Sequence, residues 1–224
     1  MNLTEHLKSI VAGHDVLQSK WLLERQAVMH IVDLKHWLTQ EFHVSVAFVK
    51  WFLWTSALTD DIPARIVLVE NIWEELGEGK PQDSHVEILR KFLSDLGVAD
   101  NAIPLFSATA EYLHLMREIT SSDFYEAIGA LGPANEYLLK LEYSLMYDSY
   151  KKLAQTMDLP QARFFEINLE ADESHSAKMF RLIEKVAIDS EKQEKVINGT
   201  IRALNARKLF YRGLEQIDYS KSSS

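Results

Sequence analysis

The stretch "FFEINLEADESHSAKMF" (Phe164–Phe180) decides how this chain is read. Placed at about 100° per residue, the helical period, its apolar residues gather on one side. Phe164, Phe165 and Met179, continued by Leu182, Ile183 and Val186, form the stripe, and Glu166, Glu170, Glu173, Arg181 and Glu184 lie opposite. Within the stripe stand Asn168, Asp172 and His175, spaced i, i+4, i+7. Burying an unpaired carboxylate costs several kcal/mol, so a helix that turns these groups inward needs a partner for them.

The helical period extends over almost the whole chain. It predicts helices near 3–12, 16–42, 45–59, 63–76, 84–97, 106–119, 123–131, 134–157, 161–188 and 190–217. Asp60–Asp61 before Pro63 provides an acidic cap and a first-turn proline. "ELGEGKPQDS" (Glu75–Ser84) is the clearest loop, and "SHVE" (Ser84–Glu87) has the form of a capping box. Gly97, Gly132–Pro133 and Leu159–Pro160 mark further ends. Only 8 Gly and 5 Pro in 224 residues argue against a loop-rich β architecture. The expectation is one all-α domain over 1–218 with a flexible tail at 219–224.

Composition narrows the function. A net charge of −9 with no block of Lys or Arg argues against a nucleic-acid partner. The absence of cysteine excludes a disulfide framework, a thiolate zinc site and a cysteine nucleophile. The most apolar run, Val44–Leu58, contains Lys50 and is too short to span a bilayer, so no membrane role is expected. The N-terminus lacks a basic-then-apolar signal pattern, which points to the cytoplasm.

The same angular test on other helices finds more inward polar groups. His85 shares a face with Ile88, Leu89, Phe92, Leu93 and Leu96. Glu136 lies among Leu139, Tyr143, Met146, Tyr147 and Tyr150, with Glu142 toward the edge of that stripe. Glu75 flanks the apolar side of its helix, whereas Glu70 and Glu74 point away. The trio His36, Gln40 and His43 repeats the i, i+4, i+7 spacing but lies opposite the stripe Leu23, Ala27, Ile31, Leu34, Leu38 and Phe42, so it is expected to face water. The basic stretch Arg202, Arg207, Lys208 and Arg212 reads as a solvated face, and Trp51, Phe52 and Trp54 as an aromatic core helix.

Two arrangements would satisfy Glu75, His85, Glu136, Asp172 and His175. One is a purely structural network of mutual hydrogen bonds. The other, favoured here because four helices contribute, is a cation held inside a helical bundle, as in carboxylate-bridged iron and manganese proteins. Mixed carboxylate and imidazole donors without sulfur suit iron or manganese better than structural zinc.

"ENIWEELGEGKPQDSHVEIL" (Glu70–Leu89) together with "DESH" resembles the signature of haem-oxygenase-like di-iron oxidases. Thiaminase II (TenA), the quinone-cofactor synthase PqqC and the chlamydial death-domain-associating protein share that helical bundle. The resemblance implies metal ligands at Glu75, His85, Glu136, Asp172 and His175, with Asn168 where the family has a His. It implies one or two Fe(II) per chain, with Mn as a substitute, and O2 as co-substrate for oxidising a small amino acid, amine or carboxylate. It makes Glu75 a movable ligand, and homodimers are the family's habit. Independently of the resemblance, Tyr143 and Tyr147 share the face of Glu136, which makes Tyr143 a candidate catalytic tyrosine near the metal, although core packing with a polar tip explains both as readily. The alternatives are a metal-free TenA/PqqC-like enzyme or small-molecule binding module, and an interaction protein with only a buried polar network. Without cysteine, the thiaminase branch's nucleophile is missing.

Overall fold

The computed structural model describes residues 2–99 and 103–217; within helix 163–186 the side chains of 171–173 lie outside the description. Helices α1 (Leu3–Gly13), α2 (Lys20–Ala27), α3 (Ile31–Ala57), α4 (Ile62–Glu75) and α5 (His85–Asp95) form the first half. Helices α6 (Ser107–Thr120), α7 (Phe124–Leu131), α8 (Leu138–Ala154), α9 (Arg163–Val186) and α10 (Ser190–Glu215) complete a bundle with no strand among the described residues. No described helix is long and apolar enough to cross a membrane. The tail assigned to 219–224 lies outside the described residues.

Helix α10 packs along α7 and α6, while α9 runs against α8, α5 and α4. Between these layers sits an aromatic core that includes Trp37, Trp51, Phe52, Phe164, Phe165 and Phe210, all essentially solvent-free. Trp37 stacks on Phe165 with ring centroids 5.9 Å apart. The reading of Trp51 and Phe52 as core residues agrees with this burial.

Two expected helix boundaries differ. The helix placed at 16–42 breaks at Val28–His30, and α3 then runs unbroken to Ala57. Val28 is extended, and the Asp33 carboxylate accepts the His30 N–H at 3.2 Å, so a local cap restarts the helix. Because of this break Leu23 does not share the stripe of α3 and is exposed. Gly132–Pro133, expected to end a helix, instead opens a π-helical segment, Gly132–Tyr137, that joins α7 to α8. Proline has no N–H to lose there, and a Cβ on Gly132 would come within 3.0 Å of Met179, so the segment presses directly on α9.

Of the trio His36, Gln40 and His43, expected to face water, Gln40 does not, while the two histidines are half-buried. Gln40 is fully buried, donates to Pro104 O at 2.7 Å and accepts from Phe106 N at 3.0 Å. His43 Nε2 lies 3.2 Å from the same Pro104 carbonyl. These side chains brace the segment entering α6, which supplies the partners their polarity demands.

Candidate metal centre

The centre is assembled where α4 ends, α5 begins, the π segment bends and α9 passes. Asp61 caps α4 through the Ala64 N–H at 2.8 Å, and Pro63 occupies its first turn, as expected. Beyond Glu75 the chain turns through Gly77 (φ 71°), Glu78 (φ 53°) and Gly79 (φ 84°). A Cβ on Gly77 would lie 2.5 Å from Lys80 O and 2.6 Å from Ser84 N. Only glycine permits that fold-back, which returns the chain to begin α5 beside the end of α4. Ser84 accepts the Glu87 N–H at 3.4 Å, but Glu87 pairs with Arg90 rather than closing the capping box.

The turn brings His85 Nδ1 to 3.1 Å from Glu75 Oε2. Across the core, His175 Nδ1 lies 3.6 Å from Glu136 Oε2 and 4.0 Å from Glu75 Oε1. Four of the expected residues, on three helices and the π segment, are thus neighbours. His175 and Glu136 are essentially solvent-free, and His85 is buried. Asn71 donates to Glu136 Oε1 at 2.7 Å, which fixes the carboxylate and leaves Oε2 toward the imidazole.

His175 has a second carboxylate partner that a helical wheel does not reveal. Its Nε2 hydrogen-bonds Glu74, whose other oxygen accepts from Lys178 Nζ at 2.7 Å. The wheel turns Glu74 away from the apolar side. It sits at the end of α4 with its side chain a third exposed, so it reaches sideways to α9 instead of out to solvent. The available signal is the pair His175 and Lys178, three residues apart on α9 and jointly able to hold one acid.

Charge follows geometry. Burial works against a charged His175, yet Glu136 and Glu75 outweigh it and push the imidazole up to about 9. Burial likewise opposes charge on His85, and Glu75 prevails, raising it above its ordinary value. Burial would raise Glu74, but Lys178 and His175 hold it below the usual carboxylate range.

Taken pair by pair, these nitrogen–oxygen separations are of the size found between two donors of one ion. Bonds of about 2.1 Å to an ion place neighbouring donors about 3 to 4 Å apart, the range of the three separations above. Among the described residues, Nδ1 of His85 and of His175 are buried without a hydrogen-bond partner, although each is close to a carboxylate. Unpartnered buried nitrogens are costly, and a cation would complete them. The described groups do not by themselves close a cage, because no three converge on one point. Asp172 belongs to α9, but its side chain lies outside the described residues. Asn168 is buried and donates its amide to Phe164 O at 2.7 Å, a bond within its own helix.

Other residues singled out by the sequence lie elsewhere. Tyr143, expected near the metal, donates to Glu41 Oε2 at 3.2 Å. Tyr147, on the same expected face, donates to Glu166 at 3.2 Å near the surface. Glu41 belongs to a second buried cluster: Arg207 pairs with Glu41 and with Glu142, the latter at 2.7 Å. Arg207, expected on a solvated face, is 1% exposed, its guanidinium 4.0 Å above the Phe210 ring. Two buried acids and a ring recover what an isolated buried cation would lose.

A family model described as iron-containing redox enzyme matches residues 35–208. No curated protein sequence matches the chain. A CADD-like protein from Nostoc punctiforme has a similar fold, with TM-score 0.78 and 18% identity, over 96% of this chain and 93% of that one. A TenA homologue from Pseudomonas syringae superposes with TM-score 0.69 at 14% identity, covering 96% and 91% of the two chains. A TenA homologue from Pyrococcus furiosus gives 0.68 at 14%, covering 95% and 100%. At such identities the neighbours establish the haem-oxygenase-like helical bundle and nothing finer. The family match, which spans α3 to α10, goes further: this chain belongs to the haem-oxygenase-like family of iron-containing redox enzymes.

Proposed function

We propose that this protein is a non-haem iron-dependent oxidase or oxygenase that uses O2 to oxidise a small organic molecule carrying an amine or carboxylate. The observation behind this reading is the pair of buried, unpartnered Nδ1 atoms of His85 and His175 set against Glu75 and Glu136. Glu75, His85, Glu136 and His175 would hold the iron, joined by Asp172 from α9. Iron bound there supplies one-electron chemistry with O2, which side chains alone lack.

The protein's own contributions come from the geometry. Glu74, anchored by Lys178, accepts a hydrogen bond from the Nε2–H of His175 and so reserves Nδ1 for the centre. Asn71 orients Glu136. Glu75 ends α4 at a glycine turn, where local order is cheap to lose, and so is the ligand best placed to shift. The proton held on His175 must leave before iron enters. Asn168 offers an amide where the family resemblance expects an imidazole, which favours one firmly held ion over two.

A metal-free enzyme or binding module is the second reading. It draws on the fact that Lys178, Glu74, His175 and Glu136 already form a chain of opposite charges. Anaerobic Fe(II) titration separates the two. Stoichiometric binding in the wild type, lost in His175→Ala, with an absorbance change on admitting oxygen, supports the iron oxidase. A rise from one to two ions in Asn168→His would identify the Asn as the limit on the second ion. No binding to the wild type leaves the metal-free reading.

A further inference from the structure

The π segment Gly132–Tyr137, which carries Glu136, is held by more than its own backbone. A π turn is rare and mostly occurs as a single turn within a longer helix, frequently at a functional site. Here the backbone supplies the bond from Leu138 N–H to Pro133 O, five residues back. Pro133 has no N–H, so the Gly129 carbonyl loses the donor that an α-helix would give it. Thr200 on α10 compensates in part. Its Oγ1 lies 3.0 Å from Gly129 O and 2.9 Å from Val196 O, so one proton serves two carbonyls.

The stronger hold is Asn135, which is buried in the segment beside Glu136. Its Nδ2 donates to Ala130 O at 2.7 Å, across the junction with α7. Its Oδ1 accepts from the Tyr112 hydroxyl on α6 at 3.2 Å. Tyr112 is itself clamped: it is buried, and its ring lies edge-on to Trp51 and Phe210 at 5.9 and 6.4 Å. The Arg207 guanidinium stands 5.6 Å from the same ring. Successive helical residues point about 100° apart, so Asn135 and Glu136 grip different walls of the bundle. Asn135 reaches α6, while Glu136 takes Asn71 on α4 and faces His175 on α9. A turn of the segment about its axis would break both grips together.

We propose that Tyr112 and Asn135 are positioning residues for the candidate metal centre: the Tyr112–Asn135–Ala130 relay fixes the π segment and so delivers Glu136 to His175. Both act through Glu136 rather than as ligands. The placement stands without a metal, and its consequence for metal binding rests on the iron reading.

Tyr112→Phe removes the hydroxyl and keeps the ring. Tyr211→Phe is the control, because it removes an equally buried hydroxyl that bonds no residue of the segment. Amide hydrogen exchange on the metal-free protein is measured first. Tyr112→Phe should speed exchange over 135–138 about tenfold while α2 and α5 keep wild-type rates. Asn135→Ala, which loses both bonds, should show the same pattern more strongly. Wild-type rates over 135–138 in Tyr112→Phe, or an equal acceleration throughout the bundle, would overturn the relay. Co(II) then reports on the donors through its affinity and its visible ligand-field bands. Tyr112→Phe should bind about tenfold more weakly with shifted bands, and Tyr211→Phe should match the wild type. Wild-type affinity and bands in Tyr112→Phe, despite local loosening, would overturn the positioning role, as would a matching loss in Tyr211→Phe. A wild type that binds neither Co(II) nor Fe(II) sinks the iron reading instead, and hydrogen exchange alone then decides the relay.

Discussion

His175 Nδ1 faces Glu136 Oε2 across 3.6 Å, a gap too wide for a hydrogen bond and suited to two donors of one ion. The imidazole is held in that attitude from behind by Glu74, a residue on neither of the two helical elements that meet there.

If Glu74 positions His175, then Glu74→Ala should leave the bundle folded but weaken Fe(II) or Mn(II) binding about 10- to 100-fold. Glu74→Gln, which can still accept the Nε2–H, should fall between. Calorimetric titration of each variant checks this. An unchanged affinity in Glu74→Ala would mean that the ring is held by packing alone.

The metal-free protein should lose stability on the alkaline side. His175 is raised from an ordinary 6.5 to about 9, so the folded state binds its proton more tightly than the unfolded chain does. That stabilisation is complete below 6.5 and disappears as pH rises through about 9, on the order of 3 kcal/mol at most. His85 is raised as well and acts in the same direction. Urea midpoints of the wild type should fall between neutral pH and pH about 9.5, and His175→Gln should flatten the decline. Iron affinity should run the opposite way, rising with pH as the competing proton leaves.

Arg207→Ala should be among the most damaging single substitutions in the chain. It leaves Glu41 and Glu142 buried together without their cation, a loss of about 3–5 kcal/mol. Arg207→Met with Glu41→Gln and Glu142→Leu should recover much of it, because the whole charged set is then gone. Equilibrium unfolding in urea measures both.

Gly129→Ala and Gly199→Ala probe the crossing of α7 and α10. A Cβ at Gly129 would sit 2.1 Å from Val196 O, and one at Gly199 would sit 2.0 Å from Glu126 O. Backbone cannot yield as a side-chain tip does, so each should cost about 3 kcal/mol or prevent folding. Gly13→Ala, with nothing within 4 Å, should be neutral or slightly stabilising. Thermal melting orders the three variants.

Much of the centre is legible in the sequence alone. His85, Glu136 and His175 stand out because each lies on an apolar stripe, where burial leaves a polar group nowhere else to go. Glu74 escapes notice because a wheel assigns direction to the Cα, whereas a Glu in the last turn swings its carboxylate several ångströms around the helix. Arg207 escapes for the same reason on a longer scale. Its stem lies along α10, and its head finds acids on α3 and α8 that no local pattern announces. The break at Val28–His30 carries neither Gly nor Pro, so only the Asp33 cap marks it. The turn at Gly77–Gly79 is legible because positive φ leaves its signature in composition.

The π-helical segment carries a consequence for how this centre tolerates changes of length. A π turn holds one residue more than an α turn, so Glu136 sits in a stretch whose phase is offset from that of the helix before it. A residue lost from 132–135 is therefore absorbed by relaxing the π turn to an α turn, which leaves Glu136 close to its present bearing on His175 and Asn71. A residue lost from the regular helix α7 has no such outlet and turns everything after it by about 100°. The segment is thus a reserve of one residue, and where a codon is lost decides whether the acid keeps its place.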